Sequence, residues 1–195
     1  MNTTLIIYCH PYKRSFNHAV LEAVISTLAS KGRSWKLIDL HQAQFNPTYD
    51  VEELRLFHQG KSHDQQTIEY LDDLRRANTV IFITPVWWNS IPGMLKGFVD
   101  KVMKEGAGLS HTVTKFGVHG ELGNIKHGYV LTTSTSPTFY LRFFSGNGIQ
   151  KIFIHQTLRQ LGISHCKWIN FGNISNSTLS SRKKYLQQLR SYNFS

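Results

Sequence analysis

Acidic residues are scarce in this chain: 12 Asp and Glu stand against 22 Lys and Arg over 195 residues, a formal net charge of +10. That balance favours anionic partners, such as phosphorylated cofactors, nucleic acid or membrane surfaces. The basic residues are scattered, however, and the densest cluster is Arg182-Lys183-Lys184. No stripe interleaves Lys or Arg with aromatic residues, so nucleic-acid binding is not expected. Cysteine is nearly absent. Cys9 and Cys166 each fall in an expected strand without CxxC spacing, which excludes a disulfide framework and leaves two buried thiols. Long apolar runs are also missing. Near the N-terminus the longest clean one is Leu5-Ile6-Ile7, far short of a signal segment or a membrane span. The expected location is the cytoplasm, with no integral membrane segment. The loop 10–17 has no glycine, so it is neither a GxGxxG turn nor a P-loop. GxSxG is absent, and no Ser/His/Asp or Cys/His arrangement stands out. Ten histidines are present, but His111, His119 and His127 share one loop at eight-residue spacing with no acidic cluster. No metal site is expected.

What is present is ordinary globular composition, with 41% hydrophobic and 17% charged residues, enough for a core in a single domain over 1–195. Strands are expected over 4–9, 35–40, 79–84, 128–133 and 165–171. Helices are expected over 16–31, 51–59, 65–76, 92–104, 148–161 and 178–192, from i+4 apolar spacing such as Val20, Val24 and Leu28 and from Gly stops. The stretch 105–127 has weak periodicity and reads as a long loop.

Five strands alternating with helices imply an α/β fold, a three-layer sandwich with a parallel sheet covered on both faces. Right-handed crossovers favour the flavodoxin-like strand order 2-1-3-4-5. In that order the loops after strands 1, 3 and 4 converge at the carboxyl edge of the sheet, where open α/β sheets bind ligands. They are residues 10–17, 85–91 and 134–148.

The first loop, His10-Pro11-Tyr12-Lys13-Arg14-Ser15-Phe16-Asn17, can hold an anion. Ser15 can cap the following helix, whose free N–H groups and dipole attract negative charge. An ordinary N-cap on a surface loop accounts for the same residues. The second loop places Trp87 and Trp88 between Pro85 and Pro92. Exposed adjacent indoles call for a flat partner, and Pro85, Val86 and Asn89 flank them. Packing in a dimer interface, or under 105–127, is the competing reading. The third loop opens on Thr132-Thr133-Ser134-Thr135-Ser136, and six of the nine residues 132–140 are Ser or Thr. Those hydroxyls suit a polar ring edge, or simply a solvated turn. Tyr140 can donate to a developing negative charge or only pack.

These motifs resemble those of the NAD(P)H:quinone oxidoreductase family of flavodoxin-2-like flavoproteins. The matching residues are His10…Ser15-Phe16-Asn17, then Pro85-Val86-Trp87-Trp88…Pro92-Gly93-Met94-Leu95-Lys96-Gly97, then Thr132-Thr133…Tyr140. The match spans about 4–162 and its middle motif is the most specific. The resemblance implies a bound flavin, FAD or else FMN. Ser15, Phe16 and Asn17 would hold its phosphate near His10. Pro85, Val86, Trp87, Trp88 and Asn89 would face the isoalloxazine. Thr132, Thr133, Ser134 and Tyr140 would meet its pyrimidine edge. Of the two indoles, Trp88 aligns with the family's tryptophan and takes the flavin or nicotinamide side; Trp87 is left to packing.

The implied chemistry is hydride transfer from NAD(P)H through flavin N5 to a quinone or similar acceptor, in a homodimer with its active site at the interface. Tyr140 is the implied catalytic residue, supporting negative charge on the reduced ring. Two departures stand out. Larger members have Gly-Gly after Thr-Thr where Ser134-Thr135 stand here, which changes the backbone approach to the ring. Some members carry a His six residues beyond the Tyr, where this chain has Gly146, so no Tyr–His relay is expected. Related proteins also serve as flavin-binding ancillary subunits of potassium efflux systems, a second reading of the same motifs. A charge of +10 argues against a flavodoxin-type electron carrier, since those are typically acidic.

Overall fold

The run Thr4-Leu5-Ile6-Ile7-Tyr8 is apolar on both faces and becomes β1 (Thr3–Tyr8), buried almost throughout. Its alternating side chains divide between two cores. Leu5 and Ile7 join one, Ile6 and Tyr8 the other, the period-2 pattern of a strand packed on both sides. The computed structural model describes residues 3–194. Around β1 run β2 (Ser34–Asp39), β3 (Thr79–Pro85), β6 (His127–Thr133) and β7 (Cys166–Phe171), all parallel, in the order β2-β1-β3-β6-β7. This is the expected 2-1-3-4-5 arrangement of a flavodoxin-like fold.

Helix α1 (Phe16–Ser30) and α6 (Leu179–Ser191) cover one face, burying Val20, Val24, Leu28 and Leu189. The other face is covered by α3 (Gln65–Arg76), α4 (Gly93–Val102) and a π-helix (Ile149–Leu158), through Leu74, Leu95, Phe98, Phe153 and Ile154. The register aligns the carboxyl ends: Tyr8 pairs Ile83, and Thr84 and Pro85 pair Thr132 and Thr133. Three connections therefore leave the sheet at one edge.

Helix α2 (Val51–Phe57) lies in the crossover between β2 and α3, and two lysines of the α4 region fasten that crossover. Lys101 donates to the Asn46 carbonyl (2.8 Å) and pairs Asp64 (3.0 Å). Lys104 pairs Glu53, and both side chains are 1% exposed. Their ammonium groups lie over aromatic faces, Phe45 for Lys101 and Tyr49 and Phe57 for Lys104. Gly97 completes the contact: a Cβ there would sit 2.2 Å from the Pro47 carbonyl oxygen. The glycine of the Leu-Lys-Gly motif thus allows two backbones to touch.

Four features differ from expectation. The stretch 105–127 holds a small antiparallel hairpin, β4 (His111–Thr114) and β5 (Gly117–Gly120). Helix α5 (Thr138–Phe143) interrupts 134–148, and a 3₁₀ turn (Ile174–Asn176) follows β7. The helix expected over 148–161 winds as a π-helix. Its buried residues, Ile149, Phe153, Ile154 and Leu158, recur every four to five positions. Its side chains bond at i,i+5: Gln150 to His155 (2.8 Å), and the Thr157 hydroxyl to the Ile152 carbonyl (3.2 Å). That spacing suits the wider winding. Both cysteines are free. Cys9 is buried and Cys166 partly so, and burial pushes their thiols up to about 12 and about 11, which makes them poor nucleophiles. Among the described residues no helix is long and apolar enough to cross a membrane, and no group of three His, Cys, Asp or Glu is placed to hold a metal ion.

Candidate functional site

A cavity of about 220 Å³ opens where the connections after β1, β3 and β6 meet. The first contributes His10, Ser15, Phe16 and Asn17, the second Pro85, Val86 and Trp87, the third Thr133, Ser134 and Thr135. Ile174, from the turn after β7, closes the lining.

The first wall is the start of α1. Ser15 is its N-cap and accepts from the His18 N–H (3.2 Å). The N–H groups of Phe16 and Asn17 lie in the first turn, where an α-helix cannot pair them internally. Phe16 is held from behind by Phe171, at 4.9 Å between ring centres. Asn17 is 3% exposed and donates from Nδ2 to Thr133 Oγ1 (2.8 Å), which ties the first connection to the third. Its Oδ1 is buried with no partner. The Thr133 hydroxyl can accept or donate, so either amide orientation keeps that bond and leaves one amide atom open. Lys13 and Arg14 lie exposed next to this turn. His10 Nδ1 accepts from the Tyr12 N–H (3.1 Å), so its proton sits on Nε2. Burial holds the imidazole below its ordinary pKa, with the positive charge of a protonated His41 adding to the lowering. His10 is therefore a neutral donor.

The second wall is flat. Its Val86 N–H donates to the Thr133 carbonyl (2.8 Å). Trp87 and Ser90 exchange two backbone bonds of 3.0 Å and close a two-residue turn. The turn places Trp88 and Asn89 at φ 50° and 60°, the left-handed geometry of a type I′ turn. This splits the two indoles. Trp87 lines the cavity, its ring 6.5 Å from His10, while Trp88 stands at the tip, 99% exposed. Trp87, which the motif leaves to packing, is thus the indole in the lining, and Trp88, which the motif assigns to the flavin or nicotinamide side, stands beyond it. Asn89 shares the tip and does not line the cavity.

The third wall is hydroxylic. Thr133 and Ser134 are buried and Thr135 exposed. Thr132 lies beneath: it accepts from Trp168 Nε1 (2.7 Å) and donates to Asn170 Oδ1 (2.7 Å). Tyr140 sits on α5 rather than on a loop. Its half-exposed ring stacks on Phe144 at 5.9 Å and does not line the cavity. Ile174 carries no local sequence signal. The strand order could have found it, since the segment after β7 must lie beside the segment after β6.

The donor set suits a phosphorylated ring compound. First-turn N–H groups, Ser15 and Asn17 meet an anion, an indole and an aliphatic wall meet a flat ring, and hydroxyls meet a polar edge. On the connections after β3 and β6, Trp88, Phe139, Phe143 and Phe144 are all exposed.

Known proteins resemble this chain. The chain is similar to an uncharacterized NAD(P)H oxidoreductase of Haemophilus influenzae, 25% identical over 94% of this chain and 90% of that protein. It is similar to rat NAD(P)H dehydrogenase [quinone] 1, 29% identical over 70% of this chain. It spans only 55% of the length of that rat protein. Among solved structures, one from Streptococcus mutans UA159 superimposes with a TM-score of 0.82 at 28% identity, covering 96% of each chain. The model of the Flavodoxin_2 family, described as a flavodoxin-like fold, matches residues 2–192. The protein belongs to the Flavodoxin_2 family.

Proposed function

We propose that the protein is a flavin-dependent NAD(P)H oxidoreductase, with the flavin held across the cavity between the three connections. The observation that carries this reading is the cavity itself: an anion-binding helix start, an indole wall and a hydroxyl wall face one space at the sheet's carboxyl edge. The names of the Haemophilus and rat relatives support it.

In this reading Ser15, the Phe16 and Asn17 N–H groups and the Asn17 amide hold the phosphate, with the His10 Nε2–H as a neutral donor. Trp87, Pro85 and Val86 flank the ring, and Thr133, Ser134 and Thr135 meet its polar edge. When bound, the flavin supplies two-electron chemistry at N5, taking hydride from NAD(P)H and delivering it to a quinone-type acceptor. The protein's part is position and electrostatics. The lining addresses the phosphate and ring that FAD and FMN share; FAD stays our first assignment, and mass spectrometry of the extracted flavin decides between them. Tyr140, the catalytic residue implied by the resemblance, stacks on Phe144 and is not part of the lining. The exposure of Trp88, Phe139, Phe143 and Phe144 on the connections that form the mouth supports a homodimer that covers it, since large apolar side chains in water favour a partner.

Steady-state oxidation of NADPH and NADH with a benzoquinone tests the activity. Turnover at or above about 1 per second is expected of an enzyme of this kind. Bound flavin with turnover orders of magnitude slower would argue for a flavin-binding regulatory protein instead.

A further inference from the structure

The hydroxyl wall of the cavity lacks the Gly-Gly of larger relatives, yet it shows no backbone strain. Neither Ser134 nor Thr135 adopts a positive φ, so glycine's freedom is not needed there. Something else must set the shape of this wall. Three hydroxyls in and beside it end on one amide, that of Asn170 on β7. Asn170 Oδ1 accepts from the Thr132 hydroxyl (2.7 Å), and its Nδ2 donates to Ser134 Oγ (2.9 Å) and Thr138 Oγ1 (2.9 Å).

The bonds run in one direction. Trp168 Nε1 donates to Thr132, Thr132 to Asn170, Asn170 to Ser134, and Ser134 to the Ser136 carbonyl (2.7 Å). Each group in such a chain polarises the next. Both amide protons and the amide oxygen of Asn170 are engaged, which fixes the amide's orientation. Backbone bonds strap the same segments: Ser134 N–H to the Phe171 carbonyl (3.0 Å) and Ile174 N–H to the Ser134 carbonyl (3.0 Å). A Cβ at Gly172 would lie 2.6 Å from Thr138 N, so the two segments touch. Asn170 itself does not line the cavity.

We infer that Asn170 is a positioning residue for the cofactor site: it holds Ser134 and Thr135 in the geometry that meets the polar edge of the ring. In this chain a side-chain brace sets that wall. The role rests on the flavin reading above. Donors at that edge interact more strongly as negative charge accumulates on the ring, so a displaced wall weakens binding of reduced flavin more than of oxidised flavin.

The test is Asn170→Ala, read in three ways. Amide hydrogen exchange of the flavin-free protein should quicken about tenfold or more at 134–138 and stay unchanged in α1 and β1. The affinity for FMN, followed by flavin fluorescence, should fall about tenfold. The midpoint potential of the bound flavin should drop. A tenfold selective loss for the reduced form is read as ~30 mV in a two-electron couple. Should Asn170→Ala fail to fold, Thr138→Val removes a single partner of the amide and should lower the potential by a smaller amount. Quickened exchange with an unchanged potential and affinity would overturn the positioning role and leave a structural brace. Unchanged exchange would overturn the brace. A wild-type protein that binds neither FMN nor FAD would overturn the flavin reading, and this role with it, whatever the exchange shows.

Discussion

The crossover 41–64 and the mouth formed by the connections after β1, β3 and β6 are both rich in polar groups, and they dispose of them in opposite ways. In the crossover the buried charge is answered by other groups of the protein. Lys104 meets Glu53, Ser62 Oγ donates to the same carboxylate (2.8 Å), and Lys101 meets Asp64 and the Asn46 carbonyl. At the mouth, Asn17 Oδ1 has no partner, the Phe16 and Asn17 N–H groups lie where the helix cannot pair them, and large aromatic side chains are exposed. A region that closes its own valences stabilises the fold. A region that leaves them open is ready for something to close them.

The strongest way to break this comparison is Glu53→Gln. It leaves the Lys104 charge buried without its counter-ion and should cost about 3–5 kcal/mol of stability, measured by urea unfolding. Flavin affinity per folded molecule should not change. The pH dependence has a definite sign. Burial alone would raise the Glu53 carboxyl, but hydrogen bonds from Lys104 and Ser62, with the Lys104 charge, outweigh it and hold it below the ordinary carboxylate range. Its folded pKa is depressed, so its contribution is present above the unfolded value and is lost as pH falls through the folded one. Glu53→Gln should therefore flatten the acid side of the stability profile.

Next in size is Gly97→Ala. The added methyl meets the Pro47 backbone and should cost about 1–3 kcal/mol by overpacking, again without a selective effect on the site. Asn17→Ala inverts the pattern. Stability should fall by no more than about 1 kcal/mol, the worth of one hydrogen bond to Thr133. Flavin affinity should drop at least tenfold, about 1.4 kcal/mol, in a fluorescence titration. The smallest effects separate the indoles. Trp88→Gly relieves a positive φ and should leave the melting temperature equal or slightly higher. Trp87→Ala, which removes a cavity wall, should lower flavin affinity where Trp88→Gly in the monomer does not. Equal losses would erase the distinction between lining and tip.

Much of the fold could be read from residues alone because its signals are local. Apolar runs such as 80–83 and i+4 spacing in α1 depend only on burial and period, and the strand order then follows from chirality. The converging loops were legible for the same reason. What the residues alone do not signal has a physical cause in each case. The strands of the β4–β5 hairpin are four residues long and largely exposed, so no buried face patterns them. Helix α5 opens on Pro137 amid hydroxyl residues, which read equally well as a turn. The split of Trp87 from Trp88 depends on turn geometry, not composition. Ile174 and Asn170 act through strand adjacency, and no motif near either residue announces it.

The central claim is that the open valences at the mouth belong to a flavin. Titrating FMN and FAD into the flavin-free protein and following flavin fluorescence tests it most directly. Saturation at one flavin per chain is expected with at least one of the two, weakened by Asn17→Ala and untouched by Glu53→Gln in the folded fraction. A flat titration with both flavins would contradict it.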